Sequence, residues 1–154
     1  MKILLATDGS DCSKEAAKSI ATRPLADGTR IKVISVIEMP LSVVPETWIL
    51  PDGYYDEIER VSRERATAAV EEARGAIAET HGDKVEIETE VVGGAPKVVI
   101  PDVAEAWGAD LVVVGSHGYR GLERFLLGSV SMSVAQHVHC SIEIVRGPAV
   151  SAAD

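Results

Sequence analysis

The sequence is poor in basic residues. Its 15 lysines and arginines are outnumbered by 24 aspartates and glutamates, which gives a formal net charge of −9 at pH 7. Nucleic-acid backbones and acidic membrane faces both attract basic protein surfaces. We therefore expect a protein that binds neither nucleic acid nor a membrane. Any anion that this chain binds has to be held by local donors against the overall charge.

Cysteines and long apolar runs are also scarce. Cys12 and Cys140 lie far apart and form no CxxC pair, which indicates reduced thiols in a cytoplasmic protein rather than a disulfide framework or a metal site. The apolar run that follows Lys2 has only four residues, too few for a signal peptide. No run approaches the roughly 20 apolar residues of a membrane span.

The sequence does contain a regular alternation of strand and helix patterns. Its 154 residues are the usual size of one domain. Strand-like apolar segments at 2–6, 30–37, 84–92, 111–114 and 142–145 alternate with helical patterns at 13–23, 56–80, 96–108 and 130–137. This order predicts a single α/β domain, an open five-stranded parallel sheet with helices on both faces, Rossmann-like in architecture. We expect the domain to span residues 1–146, with an irregular proline-rich segment at 38–55 and a flexible tail at 147–154.

Two glycine-containing turns stand out, because ligands in such sheets bind beyond the carboxyl ends of the strands. Gly115 and Gly118 follow the fourth strand, and nine residues separate Gly118 from Gly128 at the start of the last helix. Glycine permits positive φ and close approach of backbone N–H groups, and a helix start favours anions. Ser129 and Ser131 can add hydroxyl donors. The spacing predicts a phosphate site. The alternative is that the glycines only form turns and Ser129 only caps the helix.

The pattern G-2x-G-9x-G-[ST] resembles the ATP-binding signature of the universal stress protein family. The resemblance covers nearly the whole chain, from KILLATDGS through GAPKVVIPDVAEAWGADLVVVGSHG to GSVSMSVAQHVHCSIEIVR. One departure is Ser141, where family members usually carry proline. The resemblance implies a fold like that of the adenine nucleotide alpha-hydrolases and ATP as ligand, with Mg²⁺. It also implies a homodimer joined through the strand from Ile142 to Val145.

The resemblance also implies individual roles. Asp8 would contact the ribose or a metal-bridged phosphate, with Thr7 beside it; the alternative is an acid that helps to cap the following helix. Val36 would hold the adenine through backbone atoms; the alternative is a core residue. Arg120 would reach the γ-phosphate, unless it is a solvated loop residue. The remaining predicted ligand residues surround the ribose and phosphates: Gly115, Ser116, Gly118, Gly128, Ser129, Val130 and Ser131.

No catalytic set stands out from the sequence. Hydrolysis requires a positioned water, neutralised charge and usually a base, and no residue can be named as that base. Three functions therefore remain open. The first is a nucleotide-dependent signalling or stress-response dimer with an unknown downstream protein partner. The second is a slow ATPase or phosphotransferase that uses the same site, and the third is a structural dimer that binds no nucleotide.

Overall fold

The computed structural model describes residues 1–38, 53–118 and 127–147. These residues form five strands, four α-helices and one short 3₁₀ turn, Gly82–Lys84. The elements in chain order are β1 (Lys2–Ala6), α1 (Asp11–Ala21), β2 (Thr29–Ile37), α2 (Tyr54–His81), β3 (Val85–Gly93), α3 (Pro96–Trp107), β4 (Leu111–Gly115), α4 (Ser129–His137) and β5 (Ser141–Val145).

The five strands form one parallel sheet in the order β3-β2-β1-β4-β5. The predicted fold class is therefore confirmed. The strand order changes direction between β1 and β4, because β2 follows β1 on one side and β4 lies on the other. In sheets of this type the crevice at such a switch point, beyond the carboxyl ends of the strands, is where ligands bind.

The helices cover both faces of the sheet. On one face, Leu5 of β1 packs with Ile20 of α1 and Ile77 of α2, and all three are fully buried. On the other face, Leu4 packs with Ile100 of α3 and with α4. Because consecutive strand residues point to opposite faces, a strand covered on both faces has to be apolar throughout. That explains the apolar runs of β1 and β4 at the centre of the sheet.

Three helices begin earlier than the sequence pattern predicted, α4 by one residue and α1 and α2 by two. Helix α2 begins at Tyr54, so the expectation that Tyr54 and Tyr55 belong to the irregular segment was wrong. Gly53 precedes the helix with φ 81°, and the two acids that follow favour the positive end of the helix dipole. Helix α1 begins at Asp11 because Ser10 is its N-cap. The rest of the predicted irregular segment, residues 39–52, lies outside the described residues.

The chain after β5 returns towards α1. A Cβ built on Gly147 would lie 3.0 Å from the Sγ of Cys12. Residues 148–154 lie outside the described residues, so the flexible tail and the domain limit at residue 146 stay predictions. Among the helices that the structure describes, none combines the length and apolar character required to cross a membrane.

Candidate functional site

The turn after β1 anchors the start of α1. The Thr7 N–H extends the strand ladder by donating to the Ile34 carbonyl at 2.9 Å. The Thr7 hydroxyl donates to Ser13 Oγ at 3.1 Å and accepts the Gly9 N–H at 3.2 Å. Thr7 is buried, so its side chain serves the fold at this position. Its proposed place beside a ligand would rest on backbone atoms.

Asp8 is exposed and is held by the turn that precedes α1. Its Oδ1 accepts the Ser10 N–H at 3.0 Å, and a Cβ built on Gly118 would lie 2.6 Å from its Oδ2. Ser10, not Asp8, is the N-cap, because Ser10 Oγ accepts the Ser13 N–H. Asp8 supports the start of α1 through the Ser10 N–H, and its two roles, as a ligand residue and as an acid that helps to cap the helix, both stay predictions. One carboxylate oxygen closes the turn, and the other lies beside Gly118 in the turn after β4.

The glycines after β4 are required by close packing. Neither Gly115 nor Gly118 has positive φ, so these positions do not use the left-handed backbone that glycine permits. A Cβ on Gly115 would come within 2.8 Å of the Cys12 carbonyl carbon and the Ser13 nitrogen. Contacts this short with backbone atoms cannot be relieved by rotating a side chain. Gly115 therefore lets the first turn of α1 pack against the end of β4.

The start of α4 is joined to the end of β4. The Gly128 N–H donates to the Ser116 carbonyl at 2.7 Å, and the Ser116 N–H donates to the Val145 carbonyl at 2.7 Å. A Cβ on Gly128 would lie 3.0 Å from the Ser116 oxygen, so a side chain there would press on this hydrogen bond. The two glycine-containing turns that the sequence singled out are thus adjacent in space, although nine residues separate them in the chain.

The two serines at the start of α4 have different environments. Ser131 is 2% exposed, and its hydroxyl lies 3.0 Å from the Ser116 carbonyl and 2.9 Å from the Gly128 carbonyl. A hydroxyl has one proton to donate, and here it has two carbonyl acceptors within reach, so the role of Ser131 at the phosphates stays a prediction. Ser129 is exposed and is the first residue of the helix. The N-cap is Gly128, so Ser129 does not cap α4.

The remaining predicted residues lie around this centre. Val130 and Val36 are half-buried and pack with the core under α3 and α4. Ser116 is buried, and its hydroxyl lies 3.2 Å from His117 Nδ1 and 3.7 Å from Cys12 Sγ. Arg120 lies outside the described residues. The sequence analysis did not single out Ser10, which joins the two turns by donating from Oγ to the His117 carbonyl at 3.3 Å. The sequence feature that could have identified Ser10 is its position immediately before a helical pattern.

The donor set of the site fits an anion better than a lone metal ion. Within the described residues, no group of three or more histidine, cysteine, aspartate or glutamate side chains is placed to hold a metal ion. Asp8 is the one acidic side chain among the predicted ligand residues. Mg²⁺ in nucleotide sites is commonly held by one or two carboxylates, phosphate oxygens and water. A single carboxylate therefore fits Mg²⁺ only when phosphates supply other ligands.

Comparison of the sequence with models of known protein families identifies its family. The model of the universal stress protein family matches residues 1–146. The chain belongs to the universal stress protein family. Universal stress protein MJ0531 of Methanocaldococcus jannaschii is 35% identical over 147 residues, which cover 96% of this chain and 82% of the relative. Universal stress protein Sll1388 of Synechocystis is 34% identical over 149 residues, 94% of this chain and 97% of the relative.

Solved structures agree with this family assignment. The protein MJ0577 superimposes with a TM-score of 0.78 at 25% identity, and the match covers 96% of each chain. A universal stress protein solved in complex with cAMP has a TM-score of 0.55 at 24% identity, covering 96% of this chain and 98% of that one. An Arabidopsis thaliana family protein with AMP bound has a TM-score of 0.65 at 17% identity, covering 97% and 93%. At these last two identities the likeness shows the fold alone.

Proposed function

We propose that this universal stress protein belongs to the ATP-binding subgroup. In this proposal the crevice beyond β1 and β4 binds ATP with Mg²⁺, and the protein acts in the cytoplasm as a nucleotide-dependent signalling or stress-response dimer. Its downstream protein partner is unidentified. The observation that carries the proposal is the start of α4, which has no side chain at its N-cap and is joined to the turn after β4.

The start of α4 supplies donors for phosphate oxygens. The first N–H groups of a helix have no partner within the helix, and the helix dipole adds a partial positive charge there. Among the described residues, no side chain caps α4, so the N–H groups of Ser129, Val130 and Ser131 are available to a ligand. Each hydrogen bond to a charged group is worth about 1.5–3 kcal/mol. These local donors offset the unfavourable net charge of the chain.

Asp8 would contribute through Mg²⁺. A carboxylate beside phosphate is repelled unless a cation lies between them. Asp8 Oδ2 lies beside Gly118 and is not the oxygen that accepts the Ser10 N–H. We therefore expect Asp8 to ligate Mg²⁺ bound to the phosphates, or to accept a ribose hydroxyl. When bound, the ion would neutralise phosphate charge. Mg²⁺ alone should not bind.

Relatives support the proposal that the ligand is an adenine nucleotide. The backbone N–H donors at the start of α4 support the proposal that the site prefers a triphosphate. One family member has been solved with cAMP and another with AMP. In our proposal the backbone near Val36 holds the adenine and the backbone near Thr7 lies beside the ribose, as the resemblance implies. The two half-buried free thiols, Cys12 and Cys140, fit a reducing compartment.

The proposed dimer would form through the outer edge of β5. In a parallel strand, alternate residues direct both backbone groups to the same neighbour. The Ser141 N–H donates to the Asp110 carbonyl, and the Val145 carbonyl accepts the Ser116 N–H, so these residues face β4. Ile142 and Ile144 then direct their backbone groups to the open edge. An open edge with apolar side chains is suited to pairing with a second copy.

Nucleotide analysis tests the proposal directly. The purified protein is heat-denatured and the released nucleotide identified, and the emptied protein is titrated calorimetrically with ATP, ADP, AMP and cAMP with and without Mg²⁺. We expect ATP with Mg²⁺ to bind tightest and to be recovered unchanged after one residence time. Conversion of bound ATP within that time would favour the slow ATPase or phosphotransferase. If no nucleotide binds, the remaining function is that of a structural dimer without a nucleotide ligand.

A further inference from the structure

Two consecutive peptide groups after β4 are held by donors from two helices. The Ser116 carbonyl accepts the Gly128 N–H at 2.7 Å and the Ser131 hydroxyl at 3.0 Å. The next carbonyl, that of His117, accepts the Ser10 hydroxyl at 3.3 Å. Ser10 belongs to the start of α1 and Ser131 to the start of α4, on opposite faces of the sheet. The segment between these carbonyls is therefore fixed from both sides.

Fixing a carbonyl also fixes the N–H that shares its peptide plane. A trans peptide group is planar, and its N–H points opposite to its C=O. The Ser116 carbonyl shares a plane with the His117 N–H, and the His117 carbonyl shares a plane with the Gly118 N–H. Within the described residues neither of these N–H groups has a hydrogen-bond partner. Because Ser10 holds its carbonyl towards α1, the Gly118 N–H points away from α1.

We infer that Ser10 and Ser131 are positioning residues of the nucleotide site. The Ser10 hydroxyl aims the Gly118 N–H, and the Ser131 hydroxyl anchors the preceding peptide group to the start of α4; neither hydroxyl touches the ligand. Ser10 is 6% exposed and Ser131 is 2% exposed, so neither hydroxyl is a surface donor. These two residues would preorganise the proposed site. That the site binds a nucleotide rests on the proposed function. Preorganised donors bind an anion better because they need not be ordered at the moment of binding.

Ser10 has two tasks that substitutions can separate. Its oxygen accepts the Ser13 N–H as the N-cap of α1, and its proton is donated to the His117 carbonyl. Glycine is a tolerated N-cap but has no hydroxyl, whereas threonine keeps both functions. Ser10→Gly should therefore remove the positioning contact with little change in the midpoint of urea denaturation. Ser10→Thr should keep the contact.

The first arm of the test needs no nucleotide. Backbone N–H order parameters are measured by NMR relaxation in the nucleotide-free full chain for the wild type and for the Ser10→Gly, Ser10→Thr and Ser131→Ala variants. We expect the order parameters at His117 and Gly118 to fall from about 0.85 to below about 0.6 in Ser10→Gly and Ser131→Ala, and to keep the wild-type value in Ser10→Thr. Unchanged order parameters in Ser10→Gly would overturn the inference, whatever the protein binds.

The second arm measures ATP affinity with Mg²⁺ by calorimetry. Ser10→Gly should bind about 10-fold more weakly and Ser10→Thr as the wild type does. Thr29→Ala is the matched control, because it deletes a buried hydroxyl that donates to the Ala26 carbonyl at 2.7 Å, at the opposite end of the sheet. It should leave affinity unchanged. Equal losses in Ser10→Gly and Thr29→Ala would overturn the inference. A wild type that binds no nucleotide would instead defeat the proposed function, and the order parameters would still decide the positioning role.

Discussion

The carboxylate of Asp8 lies directly against the backbone of Gly118. A Cβ built on Gly118 would come within 2.6 Å of Asp8 Oδ2, while Asp8 Oδ1 accepts the Ser10 N–H at 3.0 Å. The orientation of the acid thus depends on a residue 110 positions later that has no side chain. This contact connects the turn after β1 with the turn after β4, on the two sides of the switch point.

Gly118→Ala should weaken ATP binding through Asp8. The new methyl group displaces the Oδ2 oxygen, so the variant should lose about as much affinity for ATP with Mg²⁺ as Asp8→Ala does, about 10-fold. Calorimetric titration should show that the double variant is no weaker than either single one, because both changes remove the same carboxylate position. Losses that add would show that Gly118 acts independently of Asp8.

A matched glycine variant controls for the backbone effect of alanine. Gly75 lies within α2, and a Cβ built there meets nothing within 4 Å. Gly75→Ala should leave ATP affinity unchanged and raise stability by up to about 1 kcal/mol, since alanine is the better helix former. A loss of affinity in this control would mean that the titration responds to changes far from the crevice.

Gly115→Ala should damage the fold rather than the ligand contacts. Its Cβ would lie 2.8 Å from backbone atoms of Cys12 and Ser13, so α1 has to move away from β4. We expect a loss of about 1–3 kcal/mol in the free energy of unfolding, measured by urea denaturation. Gly93→Ala, at the end of β3 with nothing within 4 Å of its Cβ, is the control and should change stability by less than about 1 kcal/mol. Equal stabilities would refute the packing role of Gly115.

The glycine spacing predicted that two turns would meet, but not why each glycine is needed. A pattern of glycines in a βα unit indicates close approach, and the joined turns agree with that. The tight contact at Gly115 depends on how far α1 approaches β4. That distance is a property of tertiary packing. Of the two properties of glycine that the sequence suggested, close approach applies to Gly115 and positive φ does not. The environment of Ser131 also depends on tertiary packing, because its hydroxyl donates to carbonyls that only the folded chain brings near.

The fold was more predictable than the site because a strand that is buried on both faces has a recognisable, uninterrupted apolar sequence. Residues 3–6 of β1 and 111–114 of β4 are apolar without interruption, and that pattern has few explanations other than the centre of a parallel sheet. Helix starts were less certain, because the N-cap depends on where the chain enters the helix. The sequence analysis considered Ser129 as a cap of α4, and the structure gives this position to Gly128.

Glu143 should make stability depend on pH in the acidic range. Burial alone would raise the pKa of its carboxyl, but hydrogen bonds from Ser19 and Arg23 and the charge of Arg23 hold the pKa below its ordinary value of 4.5. A lowered folded-state pKa stabilises the fold fully above the unfolded-state value. That contribution is lost as the pH falls below 4.5 towards the folded-state pKa.

Glu143→Gln measures this contribution. Urea denaturation should show the variant less stable than the wild type at pH 7, because Arg23 loses its ionic partner. The difference should shrink as the pH falls below 4.5, where the wild-type carboxyl takes up a proton. A stability difference that is the same at pH 7 and pH 3 would show that the charge of Glu143 contributes nothing.

Ile144→Pro should separate the proposed dimer from the fold. Its N–H faces the open edge of β5, so proline removes no hydrogen bond to β4. We expect light scattering to show a monomer where the wild type is a dimer, with the circular dichroism spectrum of a folded protein. The dimer proposal fails if the wild type is already monomeric at about 50 μM, a concentration at which a dissociation constant of about 1 μM would give mostly dimer.

The start of α4 offers a comparison between losing one donor and blocking the approach of a ligand. Ser129→Ala deletes an exposed hydroxyl and keeps the backbone N–H, so ATP affinity should fall by no more than about 10-fold. Gly128→Val places a branched side chain where a Cβ alone lies 3.0 Å from the Ser116 oxygen, which disturbs the join between β4 and α4. It should remove most measurable binding, while light scattering still reports the same dimer as the wild type because β5 is unchanged. If Gly128→Val binds ATP as the wild type does, the glycines here serve only the turns, and the phosphate site lies elsewhere.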